Sequence, residues 1–342
     1  MRVPFRLGFF THVEGNGDPA QIYQDTLELF VAADQLGFDV VWVAEHHFRA
    51  HPGRLPSLFP FLAAAAERTR RLRLGTSIVI LPLNHPLRVA EDAAVVDLLS
   101  GGRLELGVGS GGAPVEFEAY GVPNSERHPL TTNGLRQLQR ALRGEILPGD
   151  RQLDPPAPTL AERLWQSALG ETGARYVAEH GVGLLLARAA FGGDRRTDEI
   201  QLDVANAYLG QWAGPSPPRI GLSRGIYPTT DRRTALDAMR ASVMNWATAM
   251  AKLGQVPGGL SLERYCELMH IAYGHPDEVA EQLAADLVLP TTTDLILQFN
   301  PVIPSVEQAL CMLEQIATQI APALGWRPAL PIAQARERKE PI

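Results

Sequence analysis

The run Glu45-His46-His47-Phe48 sets an acid, two imidazoles and an aromatic ring directly after the apolar stretch Val40-Val41-Trp42-Val43-Ala44. Imidazole titrates near neutral pH, so such a pair suits a general base or a proton shuttle. The alternative is that one ring faces a cleft while its neighbour packs outward. Zinc is disfavoured, because the helical His-Glu-x-x-His spacing is absent and no cysteine lies nearby. Four other places carry types suited to chemistry. Gly75-Thr76-Ser77-Ile78-Val79 is small and polar, so a flat ring can approach the backbone, although crowded packing explains small residues equally well. Gly107-Val108-Gly109-Ser110-Gly111-Gly112 is rich in backbone donors, suited to an anion or to a flexible loop. Ser167-Ala168-Leu169-Gly170-Glu171-Thr172 leads into a helix whose first N–H groups suit a phosphate, with Thr172 as an ordinary N-cap the other reading. Arg188 and Arg224 each end an apolar run, either as solvent-facing arginines or as a pair of cations for an anion.

These residues are far apart in the chain, so elements must bring them together. Short β-branched or apolar runs alternate with longer helical segments, the pattern of a parallel sheet covered by helices. Strands are expected at residues 5–11, 40–45, 72–81, 103–109, 163–169, 183–188, 219–226 and 294–299. Helices are expected at 18–37, 57–70, 85–100, 114–120, 131–143, 172–180, 197–212 and 305–321. Eight β/α units without a polar linker suit one closed (β/α)8 TIM barrel over residues 1–342, with insertion regions at 113–162 and 228–293. In such a barrel the residues that act lie on the loops after the strands. The rival is an open nucleotide-binding sheet with 107–112 as its phosphate loop. It fits poorly, because Pro114 and an irregular stretch follow where a helix should start. The Pro- and charge-rich tail from Arg327 reads as draped or mobile.

Composition narrows the class. A net charge of −7 with scattered basic residues argues against nucleic acid as partner. No apolar run approaches the roughly 18 residues of a membrane span, and Arg2-Val3-Pro4-Phe5-Arg6 reads as neither signal core nor targeting helix. With only Cys266 and Cys311, both in helical patterns, no disulfide framework is expected and a cytoplasmic location is the default.

Taken in order, Val41-Trp42-Val43-Ala44-Glu45-His46-His47-Phe48, Leu74-Gly75-Thr76-Ser77-Ile78-Val79-Ile80-Leu81-Pro82 with His85-Pro86, and Ala90-Glu91-Asp92 leading to Ser100-Gly101-Gly102-Arg103 form a set. Leu106-Gly107-Val108-Gly109-Ser110-Gly111 and Glu278-Val279-Ala280-Glu281-Gln282-Leu283 extend it. The set resembles the luciferase-like flavin-dependent monooxygenases, barrels similar to the bacterial luciferase subunits. The resemblance implies reduced FMN, bound non-covalently in the barrel mouth and supplied by a separate reductase, that reacts with O2 to a C4a-hydroperoxide and oxidises a small organic substrate. It implies that His46 is the active-site histidine and that Ser77 and Ile78 flank a non-prolyl cis peptide under the flavin ring. It also implies a homodimer through the helices at 57–70 and 85–100. Two positions depart from the family's flavin-binding subunit: Gly109 replaces a reactive cysteine and Ser110 a phosphate-binding arginine. The phosphate is then expected on the Gly170, Glu171 and Thr172 donors beside Leu169, with Arg188 or Arg224 in place of the arginine. The alternatives are a deazaflavin-dependent reductase on a similar barrel and a non-catalytic flavin-binding or partner subunit.

Overall fold

The computed structural model describes residues 5–15, 17–48 and 52–329. Residues 2–4 and the tail from residue 330 onward, both discussed above, lie outside the described residues. The first half of the chain runs β1 (Arg6–Thr11), α1 (Pro19–Leu36), β2 (Val40–Val43), α2 (Leu58–Arg68), β3 (Arg73–Thr76), β4 (Val79–Ile80), α3 (Pro86–Leu99) and β5 (Leu104–Gly109). It continues with α4 (Pro114–Ala119), α5 (Arg127–Leu142), β6 (Leu164–Ser167), α6 (Glu171–Glu179), β7 (Gly183–Leu186) and α7 (Thr197–Gln211). Last come β8 (Ile220–Pro228), α8 (Arg232–Lys252), α9 (Leu262–Met269), β9 (Ala272–Gly274), α10 (Pro276–Ala284), β10 (Asp294–Phe299) and α11 (Val306–Gln315).

The strands follow the order β10, β1, β2, β3, β5, β6, β7, β8, β9, with β4 on β5, and β10 also pairs with β8. That last pairing closes the ring: eight parallel strands alternate with helices as a (β/α)8 barrel. Closure leaves no unpaired edge among the eight. Residues 113–162 hold α4 and α5, and residues 228–293 hold α8, α9, β9 and α10.

Contacts divide the chain into two compact units, one of Thr11–Asp34 and Val40–Ser167, the other of Met1–Phe10, Gln35–Asp39 and Ala168–Ile342. In the first, β2 and β5 are buried along their whole length, as expected of strands covered on both faces. Trp42 and Trp165 meet edge to face with centroids 5.7 Å apart, and the Trp165 indole donates to Glu105 at 2.7 Å. Thr76 ties β3 to β5: its hydroxyl donates to the Gly107 carbonyl and accepts from the Gly107 amide, at 2.7 and 2.8 Å. In the second, β7, β8 and β10 are buried throughout.

Several boundaries differ from expectation for physical reasons. The third strand, expected unbroken over 72–81, is two pieces, because Ser77 and Ile78 turn between β3 and β4. α5 begins at Arg127, four residues before Thr131, since Pro129 in a first turn lacks only an N–H that has no helical partner there. β9 was not anticipated; it is three residues long and extends β8 through Ile226↔Ala272 to Pro228↔Gly274.

Candidate active site

Registers in the first unit bring consecutive strand ends level. Val43 lies beside Thr76, and Ile80 beside Gly109. The segments beyond those ends are then stitched together: Ser77 N donates to Val43 O at 2.7 Å and Glu45 N to Ile78 O at 3.3 Å. The Ser77–Ile78 peptide is cis. Gly109 ends β5 against this turn, and a Cβ there would collide with Ile78 Cδ1 and Ser167 Oγ. Ser110 follows, half-buried, its hydroxyl donating to Gly111 O at 3.3 Å. His46, Ser77, Ile78, Gly109 and Ser110 thus gather on neighbouring strand ends of one unit. Gly75 has a packing explanation, since the Trp42 indole fills the space its side chain would need.

The two histidines divide their roles. His47 is buried, with Nε2 2.8 Å from Glu45 Oε1, Nδ1 3.2 Å from the Tyr120 hydroxyl, and its backbone N–H donating to Glu116 Oε1 at 2.8 Å. Glu45 also accepts from Ile80 N at 2.6 Å and Asn84 Nδ2 at 3.0 Å. Partial burial, aided by the Glu45 and Glu116 carboxylates, pushes the Tyr120 phenol up. His46 is half-buried, and its Nε2 lies 2.8 Å from His12 Nδ1. Phe48, with φ of 50°, is exposed beside Tyr120. His12, Asn84, Glu116 and Tyr120 went unread in the sequence, although His12 follows the first strand directly and that position alone marks it.

In the second unit α6 starts at Glu171 with Gly170 as N-cap and no side chain capping it. Thr172 therefore sits in the first turn and is not the N-cap. Its neighbours Leu169 and Gly170 are exposed, and Glu171 pairs with Arg175 at 3.1 Å. Arg188, two residues past β7, is half-buried and donates to Asn300 Oδ1. Arg224 corrects the expectation of a second rim cation. It lies within β8, fully buried, its Nε donating to Asp286 Oδ2 at 2.6 Å and its Nη1 to Gln201 Oε1 at 2.8 Å.

Around it, ligand atoms of Asp198, His270 and Asp286 lie within 4.8 Å of one another. A divalent cation is poorly matched to this cluster, because Arg196 and Arg224 already pair with the two carboxylates. Burial opposes ionisation of Asp198, yet hydrogen bonds from His270 and Arg196 outweigh it and hold the carboxyl well below the usual range. Burial pushes the Cys266 thiol of α9 up to about 12, which keeps it protonated; Cys311 is exposed. Among the described residues no helix is long and apolar enough to cross a membrane.

Known proteins resemble the chain in part of its sequence and in its fold. The 4-hydroxyprotoasukamycin monooxygenase of Streptomyces nodosus subsp. asukaensis is 41% identical over 134 residues, 39% of this chain and 36% of the relative. The F420-dependent glucose-6-phosphate dehydrogenase of Amycolatopsis mediterranei is 39% identical over 101 residues, 29% of this chain and 30% of the relative. The matched segments thus span about a third of these curated relatives. The oxygenating constituent of 3,6-diketocamphane monooxygenase from Pseudomonas putida, solved with FMN, shares the fold at TM-score 0.74 and 17% identity, over 94% of this chain and 98% of that one. The profile of the luciferase-like monooxygenases matches residues 4–293, most of the sequence, and the chain belongs to that family.

Proposed function

We propose that the protein is the oxygenase component of a flavin-dependent system, taking reduced FMN from a separate reductase and using O2 to oxidise a small organic substrate. The observation that supports this most is the gathering of His46 with Ser77, Ile78 and Gly109 on neighbouring strand ends: an imidazole beside a turn that packs closely against a glycine. The residues fit the cofactor. Ser77, Ile78, Gly109 and Ser110 offer backbone and short side chains to a flat ring. In the other unit, taken by itself, the first turn of α6 is uncapped by any side chain and presents N–H groups at Gly170, Glu171 and Thr172 beside Leu169, a chain end of the kind that accepts a phosphate, and Arg188 carries a cation. Reduced flavin, when bound, supplies the electrons that activate oxygen. The protein's part is to orient the ring, exclude water and hold a proton at His46. The buried Glu45 and His47 pair, with the exposed Tyr120 hydroxyl on the His47 ring, keeps the segment that carries His46 in place.

The test is to mix the protein with reduced FMN in air and follow the return of oxidised-flavin absorbance. A return slower than in free solution is expected, together with a change in that rate for His46→Ala. An unaltered rate, with tight binding of a deazaflavin, would favour hydride transfer instead, the reading that the F420-dependent relative supports. Unchanged substrate turnover in His46→Ala would remove that residue from the mechanism and leave a binding or partner subunit. Val95, Leu98 and Leu99, exposed on α3, support self-association as a homodimer, which sedimentation would test.

A further inference from the structure

A third histidine stands at the same site without a role so far. His12 Nδ1 lies 2.8 Å from His46 Nε2, with ring centroids 5.0 Å apart and planes tilted by 41°. The contact runs nitrogen to nitrogen, so it is a hydrogen bond and not a stack. Both rings are held against one segment. His46 N donates to Leu55 O at 3.0 Å, and Arg54 N to Val13 O at 3.1 Å. Arg54 Nε reaches Gly15 O at 3.2 Å, while Arg54 O accepts from Tyr23 at 2.7 Å. Just before those anchors a Cβ on Gly53 would stand 2.5 Å from His46 Cδ2 and 2.8 Å from His12 O, so the glycine lets the segment come close to the pair.

Two imidazole nitrogens at this distance need one proton between them, since one must donate and the other accept. Two protonated nitrogens facing each other would repel. We propose that His12 is the positioning residue of His46: the pair shares a single proton between His12 Nδ1 and His46 Nε2, which holds His46 in one tautomer and passes acquired charge to His12. This rests on His46 being the acid–base group. When His46 takes a substrate proton at Nδ1, its Nε2 proton moves to His12 Nδ1. The substrate is left with the electron pair and one negative charge, and the histidine pair gains one positive charge, seated on His12. Return of the proton reverses both movements.

Two variants separate this from simple packing. His12→Phe keeps a ring and removes the nitrogen, whereas His12→Asn keeps a polar atom near the Nδ1 position. Two-bond proton–nitrogen spectra of the histidine rings, recorded without cofactor at about pH 8.5, above the ordinary histidine range, report the tautomer directly. A single His46 tautomer is expected in the wild type, a mixture in His12→Phe, and its restoration in His12→Asn. The same His46 pattern in wild type and His12→Phe would overturn the proposal. Affinity for oxidised FMN, read by fluorescence quenching, is expected to stay within about twofold across the three proteins, and a loss of about tenfold in both variants would make His12 part of the cradle instead. Failure of the wild type to bind FMN would sink the cofactor reading alone, because the ring spectra are recorded without it.

Discussion

Glu45 and Asp286 are both buried carboxylates, at 6% and 3% exposure, yet their partners differ in kind. Glu45 is satisfied by a backbone amide, the Asn84 amide and the His47 ring. Asp286 is satisfied by the Arg224 guanidinium and the Val288 amide, with His270 Nε2 at 3.2 Å. An arginine never surrenders its proton near neutral pH, so the second arrangement is fixed. The first is built from neutral donors and one titratable ring, and it adjoins the strand ends proposed to hold the flavin. Asp286 thus keeps a permanent guanidinium against it, whereas Glu45 is held by two amides and one imidazole and has no arginine among these partners.

The largest effect that would break this contrast is expected from Arg224→Met. It strands Asp286 without its cation, and urea unfolding should register a loss of about 3–5 kcal/mol. An unmoved midpoint would mean that the cluster does not hold α7 and the end of α10 on β8. Glu45→Gln should cost less, about 1–3 kcal/mol, because the amide has one acceptor oxygen for three donors while neutral groups can partly rearrange. A cost equal to that of Arg224→Met would erase the distinction. The smallest effect sharpens it through pH. Asp198 has its folded value depressed, so its contribution is present above about pH 4 and is lost as the pH falls through the folded value. Asp198→Asn should therefore flatten the stability profile below about pH 5, and equal acid slopes in both proteins would contradict the pairing with Arg196 and His270.

Most of the barrel was legible because alternation of apolar runs and helical spacing is local, and a parallel sheet buried on both faces writes itself as continuous runs such as Gly183–Leu186. The clustering of His46, Ser77 and Gly109 followed from that alternation, since strand ends of one ring share a mouth. What stayed hidden depends on distant partners. Arg224 and Asp286 are separated by 62 positions, and nothing near Arg224 in the chain says that a carboxylate meets it inside the protein. The His12 to His46 contact spans 34 positions and was equally invisible, although both residues follow strands. The break at Ser77 was masked because Val79 and Ile80 read as a continuing strand.

The crowding at Gly109 governs what else could stand at that position. Ile78 and Ser167 have claimed the volume in which a side chain at that position would stand. A side chain introduced there would require the ends of both Ile78 and Ser167 to shift, because overfilled interiors destabilise the fold. Both obstacles are ends of side chains and not backbone, so the turning of Ile78 and Ser167 to other rotamers decides whether this strand end tolerates a side chain.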